Sequence, residues 1–255
     1  MLTTLFTGRN LIKLETTEST NSYLIELASK QPLPEGTVVV SDFQTGGKGQ
    51  SGASWSSEAG KNILVSILFQ PQFLPVKKIF SLSKAVALAV QDTLDAYGII
   101  SKIKWPNDIY VGEKKISGLL IENAMRGIEV QQSIVGIGVN MNQEIFPANI
   151  PNPVSMKMIT GNEFYIDECL FNLCNHLERR YLQLKGGRFN EIADEYLNSL
   201  YLLYRKNNYN QLTAMNSAGQ KFSAQIINVE DDGAIVLIKE DGSLERFRFK
   251  EIAFL

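Results

Sequence analysis

The sequence predicts an α+β chain: a central mixed or antiparallel sheet flanked by helices, followed by a small β-barrel over residues 206–255. Three observations predict it. Apolar residues make up 44% of the 255 and charged residues 20%, a composition that supports one large core and a small second one. Apolar runs between Ile103 and Val139 follow one another too closely for crossover helices, which favours antiparallel or mixed pairing. After Arg205 the pattern changes to short strands separated by Asp232-Gly233 and Asp241-Gly242, pairs that favour tight hairpin turns. This places a larger domain at 1–205 and the barrel at 206–255.

Each element has its own signal. Ser19-Thr20-Asn21 precedes Tyr23, Leu24, Leu27 and Ala28 and reads as a capped helix start. Thr37–Ser41 and Asn62–Phe69 read as buried strands. Ile79–Tyr97 repeats Leu82, Ala85, Val86, Ala89, Val90 and Leu94 at helical spacing. Ile103–Trp105, Ile109–Val111, Ile116–Glu122 and Val130–Val139 read as strands, with turns at Gly112-Glu113 and Arg126-Gly127. Pro147, Pro151 and Pro153 mark a loop, and helices follow near Ile166–Leu184 and Phe189–Leu200. The tail gives strands near Gln220–Val229, Ala234–Lys239 and Leu244–Lys250.

Several function classes are disfavoured. With 25 Lys and Arg against 27 Asp and Glu, the net charge is −2, so no strongly basic nucleic-acid surface is expected. The longest apolar runs fall far short of the roughly 20 residues of a membrane span. The first ten residues show no secretion signal. Cys169 and Cys174 are too few for a disulfide framework, so a cytoplasmic location is expected. His176 is the only histidine, and it lies in the helical run with both cysteines. On a helix Cys169 and Cys174 point about 140° apart, so they cannot share one ion with His176. An enzyme here must work without a histidine base.

Four segments could hold chemistry. Gln44–Trp55 contains Gly47-x-Gly49-x-x-Gly52 after a strand, yet no helix opens at the last glycine, so a dinucleotide fold is not indicated. What remains is a glycine-rich loop with Lys48 as its cation, suited to an anion or simply a surface loop. In Lys104-Trp105-Pro106-Asn107-Asp108 the proline interrupts the ladder, so Asn107 and Asp108 either aim into a cleft or form an ordinary turn. In Lys114–Glu122, alternation puts Lys115, Ser117 and Leu119 on one face and Ile116, Gly118, Leu120 and Glu122 on the other. Gly118 leaves room for a ligand or another backbone, and Lys115 is a candidate cation or a solvated strand end. Gly136-x-Gly138-x-Asn140 makes a smooth trough ending in an amide, or a strand packed closely on a helix.

Together these segments resemble the biotin protein ligases. Ser19-Thr20-Asn21, the Gly47–Trp55 loop, Lys104–Asp108, Lys115-x-x-Gly118-x-Leu120-x-Glu122 and Gly136-x-Gly138-x-Asn140 occur in that family's order and spacing. The resemblance implies a sheet related to class II aminoacyl-tRNA synthetases, then an SH3-like domain. It also implies a two-step reaction: biotin and Mg-ATP give biotinoyl-5′-adenylate, and a lysine of a biotin carboxyl carrier protein domain then displaces AMP. Lipoate ligases, with related chemistry, and a non-catalytic biotin or adenylate binder are the competing readings.

The resemblance also implies roles. Lys115 matches the family's essential lysine, bridging the biotin carboxylate and the α-phosphate, with Lys48 beside it. Asp108 would orient or deprotonate the incoming amine. Ser19, Thr20, Asn21, Gln44, Gly47, Lys48, Lys115 and Gly118 would contact biotin. Lys48, Gly49, Gln50, Trp55, Lys104, Asn107, Lys115 and Asn140 would serve the nucleotide. Mg²⁺ would arrive with the ATP phosphates, without a dedicated protein site. Four positions that are often arginine in the family's loop are Lys48, Gln50, Ser51 and Ala53 here, so weaker retention of the adenylate is expected. Only 18 residues precede Ser19, so a form without the N-terminal DNA-binding domain of bifunctional relatives is expected, binding neither DNA nor membrane. Monomer and homodimer both remain open.

Overall fold

The computed structural model describes residues 3–127, 129–201, 212–217 and 219–254. Its larger part is built from β1 (Leu11–Thr17), α1 (Thr20–Lys30), β2 (Val38–Gln44), β3 (Ile63–Phe69), α2 (Phe80–Asp95), β4 (Lys102–Lys104), β5 (Asp108–Val111), β6 (Lys114–Arg126), β7 (Glu129–Val139), α3 (Met156–Thr160), α4 (Ile166–Lys185) and α5 (Phe189–Asn198). The strands form one sheet in the order β1-β2-β3-β7-β6-β5-β4. Only β1 and β2 run parallel; the other neighbours are antiparallel. The mixed sheet expected from the sequence is therefore present. β1 and α3 are not among the elements expected from it.

Alternation along the central strands divides the molecule into layers. Val38, Val65, Ile67, Phe69, Val135 and Ile137 face α2 and α4 and form the large core. Val39, Leu68 and Ile134 point the other way and pack with Leu24 and Leu33 around α1. On this second face, beyond the cover of α1, the sheet carries small residues, and the candidate site opens there.

Five further strands, β8 (Leu212–Asn216), β9 (Lys221–Val229), β10 (Ile235–Lys239), β11 (Leu244–Phe247) and β12 (Ile252–Phe254), form an antiparallel sheet in the order β11-β10-β9-β8-β12. Of these, β8 and β12 are additions to the expected strands. The boundary expected at 205–206 lies outside the described residues. This sheet is tied to the larger part by two buried donors. Lys84 of α2, 2% exposed, donates from Nζ to the Val229 carbonyl at 2.8 Å. Trp105 donates from its indole N–H to the Gly233 carbonyl at 3.0 Å. Burial lowers the Lys84 pKa, with the Asp231 carboxylate pulling the other way.

Both cysteines are free and buried in α4, as the helical spacing implies. Among the described residues no helix is long and apolar enough to cross a membrane, and no group of three His, Cys, Asp or Glu side chains is placed to hold a metal ion.

Candidate active site

The site grows from the glycines of β6 and β7. Gly118 and Gly138 are cross-strand partners, and Leu120 pairs with Gly136. A Cβ at Gly138 would stand 2.5 Å from Trp55 Cε2, and one at Gly118 would stand 3.0 Å from Trp55 Cζ3. The indole thus lies flat on a shelf that only glycine provides. The indole N–H is buried and has no partner among the described residues.

Trp55 is delivered by the glycine-rich loop, which folds back on itself. The backbone N–H of Trp55 donates to the Gly47 carbonyl at 2.8 Å, Gly49 N–H donates to the Ala53 carbonyl at 2.7 Å, and Lys48 pairs with Ser54. Lys48 Nζ donates to Ser22 Oγ of α1 at 2.7 Å, pinning the loop over the helix start.

Lys115 reaches the same face by an irregularity. The β5–β6 register pairs Ile109 with Ser117 but Tyr110 with Lys115, so Ile116 is an extra residue. This corrects the strict alternation expected from sequence, which sets Lys115 opposite to Gly118. A Cβ at Gly118 would meet Lys115 Nζ at 3.3 Å, so both face one cavity. The Lys115 backbone is held from both sides: its N–H donates to the Asn152 carbonyl, and its carbonyl accepts from Val154 N–H. Asn140, 4% exposed, fastens that junction by donating from Nδ2 to the Val154 carbonyl at 3.1 Å.

The Lys115 ammonium lies 2.7 Å from Asp108 Oδ1 and 5.6 Å from the Trp55 ring centroid. The Asp108 contact is an ion pair, not an aligned hydrogen bond. Asp108 is placed by the hairpin that Pro106 forces between β4 and β5, and Asn107 locks the hairpin to β6. Its Nδ2 donates to the Leu119 carbonyl at 2.7 Å and its own carbonyl accepts Leu119 N–H.

Two cavities meet at this pair. The inner one, about 210 Å³, runs from Ser19, Thr20 and Gln44 over the glycine shelf to Lys115 and Asp108. The outer one, about 660 Å³, runs from Lys115, Asp108 and Trp55 to Asn140, Phe146, Pro147 and Ile150. The inner end is polar and directional. Gln44 Oε1 accepts from Thr20 N–H at 2.7 Å and from Thr20 Oγ1 at 3.0 Å, so the amino group of Gln44 is the end left over. Ser19 is the first residue before α1, and its hydroxyl makes no cap, in contrast to the capped start that the sequence suggests.

Of the residues singled out from sequence, Ser19, Thr20, Asn21, Gln44, Lys48, Gly49, Gln50, Trp55, Asn107, Asp108, Lys115 and Gly118 line the inner cavity, and Asn140 lines the outer. Gly47 supports the loop under Trp55. Lys104 stands apart: its ammonium sits 4.7 Å over the Tyr110 ring and 3.3 Å from the Tyr110 hydroxyl, beside a separate groove with Phe249. The wall formed by Phe146, Pro147 and Ile150 carries no signal in the sequence beyond its prolines.

Residues 14–140 match the biotin/lipoate A/B protein ligase family. The chain is 31% identical over 239 residues to the bifunctional ligase/repressor BirA of Bacillus spizizenii, covering 92% of this chain and 71% of that protein. It is 33% identical over 192 residues to the biotin–[acetyl-CoA-carboxylase] ligase of Paracoccus denitrificans, covering 72% and 78%. A solved structure of the Aquifex aeolicus biotin protein ligase in complex with biotin and ATP superposes with a TM-score of 0.78 at 25% identity, over 97% of this chain and 99% of that one.

Proposed function

This chain belongs to the biotin protein ligase family, and from that premise we propose how its own residues divide the work. The protein is a biotin–[acetyl-CoA-carboxylase] ligase: it forms biotinoyl-5′-AMP and transfers the biotin to a carrier protein. One observation supports the assignment of roles above all others. The Lys115–Asp108 pair stands where the smaller cavity, with its polar inner end, meets a larger and more apolar one.

The inner cavity takes biotin. Its ureido ring reaches Thr20, Gln44 and Ser19, its bicyclic body lies on the shelf of Gly118 and Gly138, and its carboxylate ends at Lys115. The outer cavity takes the nucleotide, with the base between Trp55 and the Phe146–Ile150 wall. Asn140 lines the same end. Asn107 and Lys104 act less directly: Asn107 fixes the strand under the site and Lys104 fixes Tyr110.

In the first step a carboxylate oxygen attacks the α-phosphorus, and the bond to the β-phosphate oxygen breaks to release pyrophosphate. Two anions must approach, so a positioned cation is the main requirement. Lys115 supplies it, assisted by Lys48 from the loop. Mg²⁺ travels on the phosphate oxygens of ATP. In the second step the carrier lysine attacks the anhydride carbonyl and the bond to the phosphate oxygen breaks, releasing AMP. A free lysine amine has a pKa of about 10.4 and must lose a proton to attack. Once Lys115 has turned to the anions, Asp108 is the carboxylate left to accept that proton.

The test is mass spectrometry of a biotin carboxyl carrier domain incubated with the protein, biotin and Mg-ATP. A single biotin adduct is expected, falling by about 10²- to 10³-fold in rate for Lys115→Ala. An adduct that forms as fast with the variant removes Lys115 from this role. The carrier's identity beyond acetyl-CoA carboxylase, the choice between monomer and homodimer, and a cytoplasmic setting are parts of the proposal that sizing and fractionation check separately.

A further inference from the structure

Behind the polar end of the inner cavity runs a chain of side chains, Glu122, Asn21, Ser66, Thr20 and Gln44, whose proton directions the geometry fixes. One end of the Asn21 amide lies 2.7 Å from Glu122 Oε2 and 3.3 Å from the Leu120 carbonyl. Both are acceptors, so that end is the amino group and the amide oxygen faces Ser66 Oγ at 2.6 Å. The amide is seated closely: a Cβ at Gly136 would stand 2.4 Å from Asn21 Oδ1. Ser66 has one proton, and it goes to Asn21. Its oxygen can then only accept from Thr20 Oγ1, 2.7 Å away. The other neighbour of Thr20 Oγ1, Gln44 Oε1, is also an acceptor, because it already receives Thr20 N–H. The Thr20 proton is therefore spent inside the protein, and its lone pairs are left for a ligand.

We propose that Glu122 is a positioning residue that sets the hydrogen-bond polarity of the ureido subsite. As an acceptor at the rim it locks Asn21, which directs Ser66. Thr20 then offers an acceptor to a ureido N–H, while the Gln44 amino group offers a donor to the ureido carbonyl. With a donor in place of the acceptor at 122, only the Leu120 carbonyl at 3.3 Å still holds the amino end, and the Asn21 amide can turn over. Ser66 would then accept from it and give its own proton to Thr20, filling one of the lone pairs that the ligand needs. The proposal rests on the reading of the inner cavity as the biotin site.

Calorimetric titration of the intact protein with biotin tests it. Glu122→Lys, a donor only, should weaken biotin binding about tenfold or more, the scale of one mismatched hydrogen bond. Glu122→Gln keeps an acceptor for Asn21 and should stay within about threefold. Ser66→Ala leaves Thr20 with Gln44 Oε1 as its acceptor, so it should stay within about threefold and should make a further Glu122→Lys nearly silent. The KM for ATP should be unmoved in all three. Unchanged binding by Glu122→Lys overturns the proposal, as does an equal loss by Glu122→Lys with and without the Ser66 hydroxyl, or a loss by Glu122→Gln equal to that of Glu122→Lys. Failure of the unaltered protein to bind biotin overturns the reading of the cavity as well.

Discussion

Gly138→Ala is a severe small change to this site. The new methyl would stand 2.5, 2.7 and 2.9 Å from Cε2, Cζ2 and Nε1 of Trp55. Carbon atoms settle near 3.5 Å or beyond, so the indole must retreat by about 1 Å. It has little freedom to do so, because the backbone N–H of Trp55 is bound to the Gly47 carbonyl and Lys48 is anchored on Ser22. Such overpacking costs about 1–3 kcal/mol, or about 5- to 150-fold if all of it falls on ligand binding. The loop is exposed at Gly52, Ala53 and Ser54 and can yield in part, so a loss of about tenfold in kcat/KM for ATP is expected. Pyrophosphate release with biotin and ATP measures it. Trp55→Ala should lower activity by itself but remove the clash, so adding Gly138→Ala to it should cost almost nothing further. Equal losses from Gly138→Ala with and without the indole would refute the shelf as the reason for the glycine.

Other perturbations read other parts of the structure. Placing Arg at 48, 50, 51 and 53 together should slow dissociation of biotinoyl-AMP, measured by rapid dilution; equal rates would sink the idea that this loop retains the intermediate weakly. Asp108→Asn should slow transfer to the carrier more than pyrophosphate release, a split visible by following both products; equal slowing would remove the proton-accepting role. Burial pushes the His176 pKa below its ordinary value, with Asp92 opposing. The unfolded chain then takes the proton first, so this contribution to stability is intact above about pH 6.5 and declines as pH falls from there. Tm between pH 7.5 and 5 should fall less steeply for His176→Gln. Burial acts to raise the Asp92 pKa, but hydrogen bonds and charge from Arg180 and Arg179 outweigh it and hold the carboxyl below its usual range. Its contribution is present above about pH 3.9 and lost as pH falls through the lowered value, so Asp92→Asn should lower Tm at pH 7 and blunt acid unfolding.

Part of this site is legible from local chemistry alone. Glycines at 118, 136 and 138 signal a close approach wherever they sit in strands, and Pro106 announces that Asn107 and Asp108 leave the ladder. The larger elements are legible because the periodicity of α2 and α4 and the buried run of β3 are written in consecutive residues. Signals that depend on distant partners are not. β1 mixes Leu11, Ile12 and Leu14 with Lys13 and Glu15, and among the described residues it is an edge strand paired with β2. Half of its surface is solvated, so its pattern is weak. The face of Lys115 is a sharper case. Alternation holds for Gly118, Leu120 and Glu122, which share the cavity side, whereas Ile116 belongs to the large core. It fails at Lys115 because the extra residue at Ile116 arises where β6 pairs with Tyr110 on one side and with Pro153 on the other. Pro153 lies far along the chain, beyond β7, so no window of sequence around Lys115 contains the cause.

The same distinction separates the two kinds of residue found here. Thr20 and Gln44 can be singled out because a motif places them. Ser66 cannot, because in β3 it reads as one small residue in an apolar strand. Its meaning comes from standing between Thr20 and Asn21, within 2.7 Å of both. Glu122 is visible as a motif letter with no task attached. Only its position 2.7 Å from the one end of Asn21 that must be a donor gives it one. A motif can thus specify which groups a ligand touches, whereas the direction in which those groups point their protons is a property of the buried shell behind them.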